Sequence, residues 1–198
     1  AYAIKSYHEQ AERKWGYDSP FSGGSGSKVF SPAFVYNQIN GGRDGGSNPV
    51  DALNLMVRTG VATWKTMPYD VKDFRRVPSA AAKQEAAKFK EESFRQVDHF
   101  NSQAIKAELA KGNPVLIGIN VYDSFYNLGA GVYDHYDGQF YGGHAIAVVG
   151  YDDSKTSPQG HKGAFRLYNS WSTQWGDKGY GWISYDFMPT ACLGAFVS

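Results

Sequence analysis

The chain has 198 residues, with 20 Lys+Arg against 19 Asp+Glu and a formal net charge of +1. That balance argues against nucleic acid or an anionic membrane as the main partner, since both select strongly basic surfaces. Hydrophobic residues at 42% and charged residues at 20% describe a globular chain, not a disordered one, and no run of about 18 apolar residues is present to cross a bilayer.

Residues 1–15 are predicted to be helical. Ala1, Ile4, His8, Ala11 and Trp15 recur at helical spacing, Glu9 and Arg13 pair at i,i+4, and Gly16 is placed to end the helix. No Ser, Thr, Asp or Asn caps its first turn, so it reads as a helix entered in mid-course. Residues 16–30 form a Gly/Ser-rich loop, expected with 152–163 to be the most mobile or variable surface. Ser31-Pro32 supplies an N-cap and a proline at the first helical position, with Gly41-Gly42 as the stop. Asn48-Pro49 repeats the device, with Leu53, Leu55 and Met56 as the buried face and Gly60 at the exit. Residues 61–78 are read as irregular connection. Ser79 opens an Ala-rich helix to about Glu92, and another runs from about Ser102 to Lys111 before Gly112 and Pro114.

From Pro114 the pattern changes to short β-type runs bounded by Gly and Asp: 115–121, 145–151, 164–169 and 181–186. The fold class is therefore α+β, one domain of two lobes, helical over about 1–100 and β-rich over about 101–198.

Among the five histidines, His144 stands out because it follows Gly142-Gly143 and is read as opening a buried strand. Asp134-His135-Asp137 is read as a plain polar turn. There is neither HExxH nor CxxC, so no metal site and no cofactor are expected. Cys192 is the one cysteine, which excludes an intrachain disulfide; it fits a reducing compartment or an exported protein large enough to fold without cross-links. Localisation stays open between the two. The run Tyr168-Asn169-Ser170-Trp171, then Trp175-Gly176 to Trp182, suits core packing and hairpin chemistry when taken alone. Taken with GGHAIAVVGYDD upstream of it, the run points instead to a site.

Together these segments resemble the papain-like cysteine peptidases, and the resemblance covers nearly the whole chain. It implies a papain-like two-lobe fold with the active-site cleft between a helical lobe and an antiparallel β-rich lobe. By resemblance, His144 is the base, Asn169 orients it, and Trp171 and Trp175 shield the pair, with the His144–Asn169 bond expected to cross between the lobes. Asp44-Gly45-Gly46 before Ala52-Leu53 resembles the family's glycine-rich substrate loop, so Gly45 and Gly46 are expected to pair with extended peptide. Gly118 and Ala145, with Gly143 beside them, are expected to line a roomy pocket for the side chain two residues before the scissile bond. The absence of disulfides looks more like a bacterial branch.

The chemistry is coherent, because a thiolate is the nucleophile and a neighbouring imidazolium lowers the thiol pKa. This sequence departs from the family pattern at its start: residues 1–15 contain no Cys, and the oxyanion-hole Gln that the resemblance places a few residues upstream of that Cys is missing too. A spacing of about 130–150 residues back from His144 reaches from about residue 14 to about six residues before Ala1, and because residues 1–14 hold no Cys it is expected just upstream of Ala1. Cys192, after the last hairpin, is read as a small, partly buried thiol.

Three functions compete. The first is a thiol peptidase that cleaves polypeptides through Cys, His144 and Asn169. The second is a catalytically inactive papain-like binding module. The third is a transglutaminase-like acyltransferase, which Asn169 disfavours because such enzymes more often pair His with Asp. The expected partner is a polypeptide, with no nucleic acid and no membrane span, and the expected state is a monomer.

Overall fold

The computed structural model describes residues 1–16 and 18–198; Tyr17, in the predicted 16–30 loop, lies outside the described residues. The chain divides into two compact units, Ala1–Phe94 with Ser198, and Arg95–Val197.

The first unit carries helices α1 (Tyr2–Arg13), α2 (Pro32–Tyr36), α3 (Pro49–Thr59) and α4 (Ala80–Ala86). Three of them start on the predicted caps, where a side-chain oxygen accepts an otherwise unpaired amide. Ser31 Oγ accepts from Phe34 N at 3.0 Å, Asn48 Oδ1 from Val50 N at 2.8 Å and Ser79 Oγ from Ala82 N at 3.1 Å. Their ends fall earlier than predicted: α2 stops at Tyr36, short of Gly41, and α4 at Ala86, short of Glu92.

Helix α1 corrects the predicted stripe. Its buried residues are Ile4, Lys5, Ser6 and Glu9, while Ala11 is exposed, and it ends on Lys14 in the left-handed region at φ 52°, not on Gly16. Lys5 and Glu9 tolerate burial because they pair at 2.9 Å and Lys5 Nζ also donates to the Lys90 carbonyl at 3.1 Å. The Asp18 carboxylate accepts from the Ser25, Ser27 and Lys28 amides and from both serine hydroxyls, and the two hydroxyl bonds above all hold it far below the usual carboxylate range.

The second unit is built on seven strands: β1 (Arg95–Val97), β2 (Val115–Tyr122), β3 (Val132–Tyr133), β4 (Phe140–Thr156), β5 (Lys162–Tyr168), β6 (Tyr180–Ser184) and β7 (Cys192–Val197). Helices α5 (Ser102–Ala110), α6 (Asp123–Tyr126) and α7 (Met188–Ala191) interrupt them. The sheet order is β1-β7-β2-β4-β5-β6-β3, antiparallel throughout except the β3–β6 pair. This is the predicted α+β class. The sequence reading missed β1, β3 and β7, and it made β4 too short: β4 begins before His144 and continues to Thr156, leaving only 157–161 as connection to β5. Ile117, Ile119, Ile146, Val148, Phe165, Leu167 and Ile183 fill the core on one face of the sheet.

Gly60 closes α3 at φ +77°, and a Cβ there would sit 1.9 Å from the Ala86 carbonyl oxygen. Both the backbone conformation and the space demand glycine. Gly60→Ala should destabilise the fold by about 2–4 kcal/mol in denaturant unfolding; an unchanged midpoint would mean that α3 and α4 shift apart freely.

Candidate active site

Strand β4 carries His144 as its fifth residue, not as its opening residue, and Asn169 follows the last residue of β5. Both belong to the second unit, so the bond between them is internal to the β-rich unit and does not cross between units as expected. Antiparallel pairing of β4 with β5 sets Ala147 against Tyr168 and brings the two side chains together. His144 Nε2 lies 2.8 Å from Asn169 Oδ1. The same oxygen accepts from Ser170 N at 2.8 Å, so the ring nitrogen on this side is the donor. That leaves Nδ1 without a hydrogen-bond partner among the described residues.

Successive residues of a strand point to opposite faces. His144 therefore shares a face with buried Ile146 and Val148, while exposed Gly143 and Ala145 share the other. The imidazole is half-buried at the rim of the core. Burial pushes its pKa below the ordinary value, and the Asn169 bond partly opposes the shift because it strengthens when the ring is charged.

Trp171 lies against this imidazole, ring centroids 4.6 Å apart at 31°. Trp175 is buried and supports Trp171, not His144: its indole meets Trp171 edge-on at 5.8 Å and its Nε1–H donates to the Phe125 carbonyl at 3.2 Å. Gly181 makes room for it, since a Cβ at 181 would come within 2.7 Å of Trp175 Cη2.

Gly118 pairs with Ala145 across β2 and β4, and Gly143 pairs with Asn120. The exposed Leu193 side chain rests over this glycine surface, 3.6 Å from where a Gly118 Cβ would stand and 3.9 Å from a Gly143 Cβ. Sequence reasoning did not find Leu193, because β7 was not recognised as a strand. Gly45 and Gly46 lie in the first unit, on an exposed loop tied to Tyr36: Gly46 N donates to Tyr36 Oη at 3.2 Å and that hydroxyl donates to Asp44 Oδ1 at 2.7 Å.

Cys192 is 5% exposed, more buried than predicted, and burial pushes its thiol up to about 11. Cys192 and His144 both pair with Ile119 from opposite sides of β2, which puts two strand spacings, about 10 Å, between their backbones. The thiol donates to the Gly194 carbonyl at 3.3 Å. Asp134 and His135 pair with each other at 2.6 Å, and among the described residues no three His, Cys, Asp or Glu side chains are grouped to hold a metal ion.

A half-buried imidazole tied to an amide oxygen, flanked by an indole and carried on an antiparallel sheet, is the geometry of a proton-transfer site. The family model for papain family cysteine proteases matches residues 35–193, and the chain belongs to that family. It is 36% identical over 80 residues to a gut-specific cysteine proteinase of Caenorhabditis elegans, covering 40% of this chain and 23% of that protein. It is 35% identical over 80 residues to cathepsin B-like cysteine proteinase 3 of Ostertagia ostertagi, covering 40% of this chain and 43% of that one. The matched stretch thus spans less than half of either relative. Among solved structures, the fold is that of xylellain, a cysteine protease from Xylella fastidiosa, with TM-score 0.77 and 24% identity over 98% of this chain and 75% of that one. It is also that of the bromelain protease from Ananas comosus in complex with the E64 inhibitor, with TM-score 0.69 and 16% identity over 98% and 83%. No helix among the described residues is long and apolar enough to cross a membrane.

The Asn169 bond holds the His144 pKa up against desolvation, so Asn169→Ala should move the His144 titration to lower pH, read from its imidazole NMR signals. In the intact protein the folded-state value already lies below the unfolded value of about 6.5. The unfolded chain therefore takes up its proton first, and this group weakens the fold only as pH falls below that value. A titration unmoved by Asn169→Ala would mean that the bond does not discriminate between the two charge states.

Proposed function

We propose that this chain is part of a cysteine peptidase that hydrolyses peptide bonds, with His144 as general base and acid and Asn169 as its orienting partner. The observation that carries the reading is the 2.8 Å His144–Asn169 contact, which commits Nε2 and leaves Nδ1 to the reacting atoms. Nδ1 takes the proton from a cysteine thiol, the thiolate attacks the carbonyl carbon, and Nδ1–H then protonates the leaving amine as the C–N bond breaks. A water then gives a proton to the same nitrogen while its oxygen attacks the thioester carbonyl. The C–S bond breaks to release the acid and a thiolate that can take the proton back from Nδ1–H. Cys192 is unsuited to the part, being buried, raised in pKa and separated from His144 by Ile119. The nucleophile in this reading is a cysteine just ahead of Ala1 in the full-length protein.

Gly45 and Gly46 are assigned to hydrogen-bond with extended substrate backbone. Gly118, Gly143 and Ala145, with Leu193 beside them, are assigned to a bulky apolar side chain two residues before the scissile bond. The second reading is a catalytically inactive papain-like binding module, which holds peptide without cleaving it.

In full-length protein, His144→Ala should lower kcat/KM on a quenched fluorescent peptide by roughly a hundredfold to ten-thousandfold. Hydrolysis undetectable in the unmodified full-length protein, with peptide binding retained, would favour the module. Trp171→Ala should cost on the order of tenfold to a hundredfold in kcat/KM, because the ring that orients the imidazole is gone. Its melting temperature should fall only by the few degrees that about 1–2 kcal/mol implies. A variant that simply unfolds would reduce Trp171 to a packing residue.

A further inference from the structure

The connection between α2 and α3 is held in two different ways along its length. Its first half is laced to the backbone of residues 73–76. Asn37 Nδ2 donates to the Asp73 and Arg76 carbonyls, both at 3.0 Å, and Asn40 Nδ2 to the Phe74 carbonyl at 2.8 Å. The Gly42 carbonyl accepts from Arg75 Nε at 3.2 Å in return. Beyond Arg43 this lacing stops, and residues 44–47 are all exposed. There the Tyr36 hydroxyl takes over: it donates to Asp44 Oδ1 at 2.7 Å and accepts from Gly46 N at 3.2 Å, and among the described residues no other hydrogen bond reaches Asp44, Gly45 or Gly46. One phenol thus uses its single donor and an acceptor site to bridge the two residues that flank Gly45. Its own base is firm, since Tyr36 ends α2 and that helix is tied at its start by Ser31 Oγ, which donates to the Met67 carbonyl at 2.6 Å. A Cβ at Gly45 would meet no atom within 4 Å, and Gly45 is not in the left-handed region. Neither crowding inside the protein nor backbone conformation therefore explains the bare backbone at this position.

We propose that Tyr36 is a positioning residue for peptide: its hydroxyl sets the shape of the Asp44–Gly46 loop before substrate arrives, so that the loop presents its backbone with little further loss of freedom. The inference rests on the peptidase reading and adds to it the residue that prepares its substrate loop. An exposed loop with no tie of its own samples many shapes, and a peptide that pairs with its backbone must select one of them. Here two hydrogen bonds from a side chain on a short, anchored helix have already made that selection. Gly46 N is committed to the hydroxyl, which leaves Gly45 N–H and the Gly45 and Gly46 carbonyls without a partner among the described residues. Free groups of this kind are what an extended backbone pairs with. The clamp also holds through the neutral range. Desolvation first, and then the Asp44 bond, raise the Tyr36 pKa, so the hydroxyl keeps the proton it donates.

The test uses full-length protein and two quenched peptides of one sequence. The second peptide is N-methylated on the second and third residues before the cleaved bond, so that it cannot pair as a strand. On the plain peptide, Tyr36→Phe should raise KM about fivefold to twentyfold and leave kcat within about twofold. On the N-methylated peptide the same variant should leave kcat/KM within about twofold of the unmodified protein's. Asp44→Ala should behave as Tyr36→Phe does, whereas Asp44→Asn, which keeps an oxygen for the hydroxyl, should hold KM on the plain peptide to within about threefold. A fall in kcat with KM unchanged, or equal losses on both peptides, marks a merely structural bond and overturns the proposal. So does a lower KM in Tyr36→Phe, which would mean that the hydroxyl competes with peptide for Gly46 N–H. Each of these results leaves the peptidase reading standing. If the unmodified protein cleaves neither peptide, the peptidase reading fails, and binding of the two peptides, followed by NMR, decides the rest. Weaker binding of the plain peptide alone in Tyr36→Phe keeps the positioning role, and binding unchanged by the variant retires it as well.

Discussion

Asn169 Oδ1 accepts two hydrogen bonds at once, from His144 Nε2 and from the Ser170 amide, and the site depends on that double acceptance. A backbone N–H is an obligatory donor, so Ser170 requires an oxygen on this side of the amide and forbids the flipped arrangement. With the oxygen fixed, the ring nitrogen facing it must carry a hydrogen, and the neutral imidazole has its lone pair on Nδ1. The tautomer is thus decided by a main-chain amide next in sequence to the asparagine. The cost is visible as well: Asn169 Nδ2 is buried without a partner among the described residues, a deficit of about 1–3 kcal/mol that the fold carries.

Sheet register distributes the remaining roles. One row across β7, β2 and β4 reads Cys192, Ile119, His144, and the neighbouring row in β2 and β4 reads Gly118 and Ala145. Period-two alternation turns the first row toward the core and the second toward solvent. The row that holds His144 also buries Cys192, which is why a thiol so near in the sheet is inert. It is a core side chain separated from the imidazole by a fully buried isoleucine.

What the sequence disclosed follows the range of the forces involved. Caps are local, so Ser31, Asn48 and Ser79 could be read directly and all three side chains accept a first-turn amide. The buried face of α1 could not, because Lys5 and Glu9 enter it paired with each other, with Glu91 and Arg13, and with a carbonyl far along the chain at Lys90. A search for apolar period passes over charged residues that pair. Strand β4 was cut short because Gly142 and Gly143 look like a turn, whereas they sit inside the strand beside a bulge. His144, Asn169 and Trp171 were legible as a motif and the structure brings them together. Leu193, over the Gly118 and Gly143 surface, was not, since it lies in β7, a short strand entered directly from a four-residue helix.

Two opposed effects act on the His144 ring, and their opposition suits proton transfer. Desolvation keeps the free imidazole neutral near physiological pH, so it can accept a proton without first losing one. Once the ring is charged, the same desolvation would make the imidazolium costly, were Nε2–H not already pointed at Asn169 Oδ1. That bond becomes charge-assisted at the moment the proton arrives, and it needs no reorganisation to do so. Trp171 contributes through position: an indole 4.6 Å from the ring occupies space that water would otherwise fill, and it keeps the local dielectric low enough for the hydrogen bond to matter. A more polar neighbour at 171 would ease the charge on the ring by solvation and, for the same reason, weaken the bond that fixes its direction. The site thus trades some stability of the charged state for control over where the proton goes.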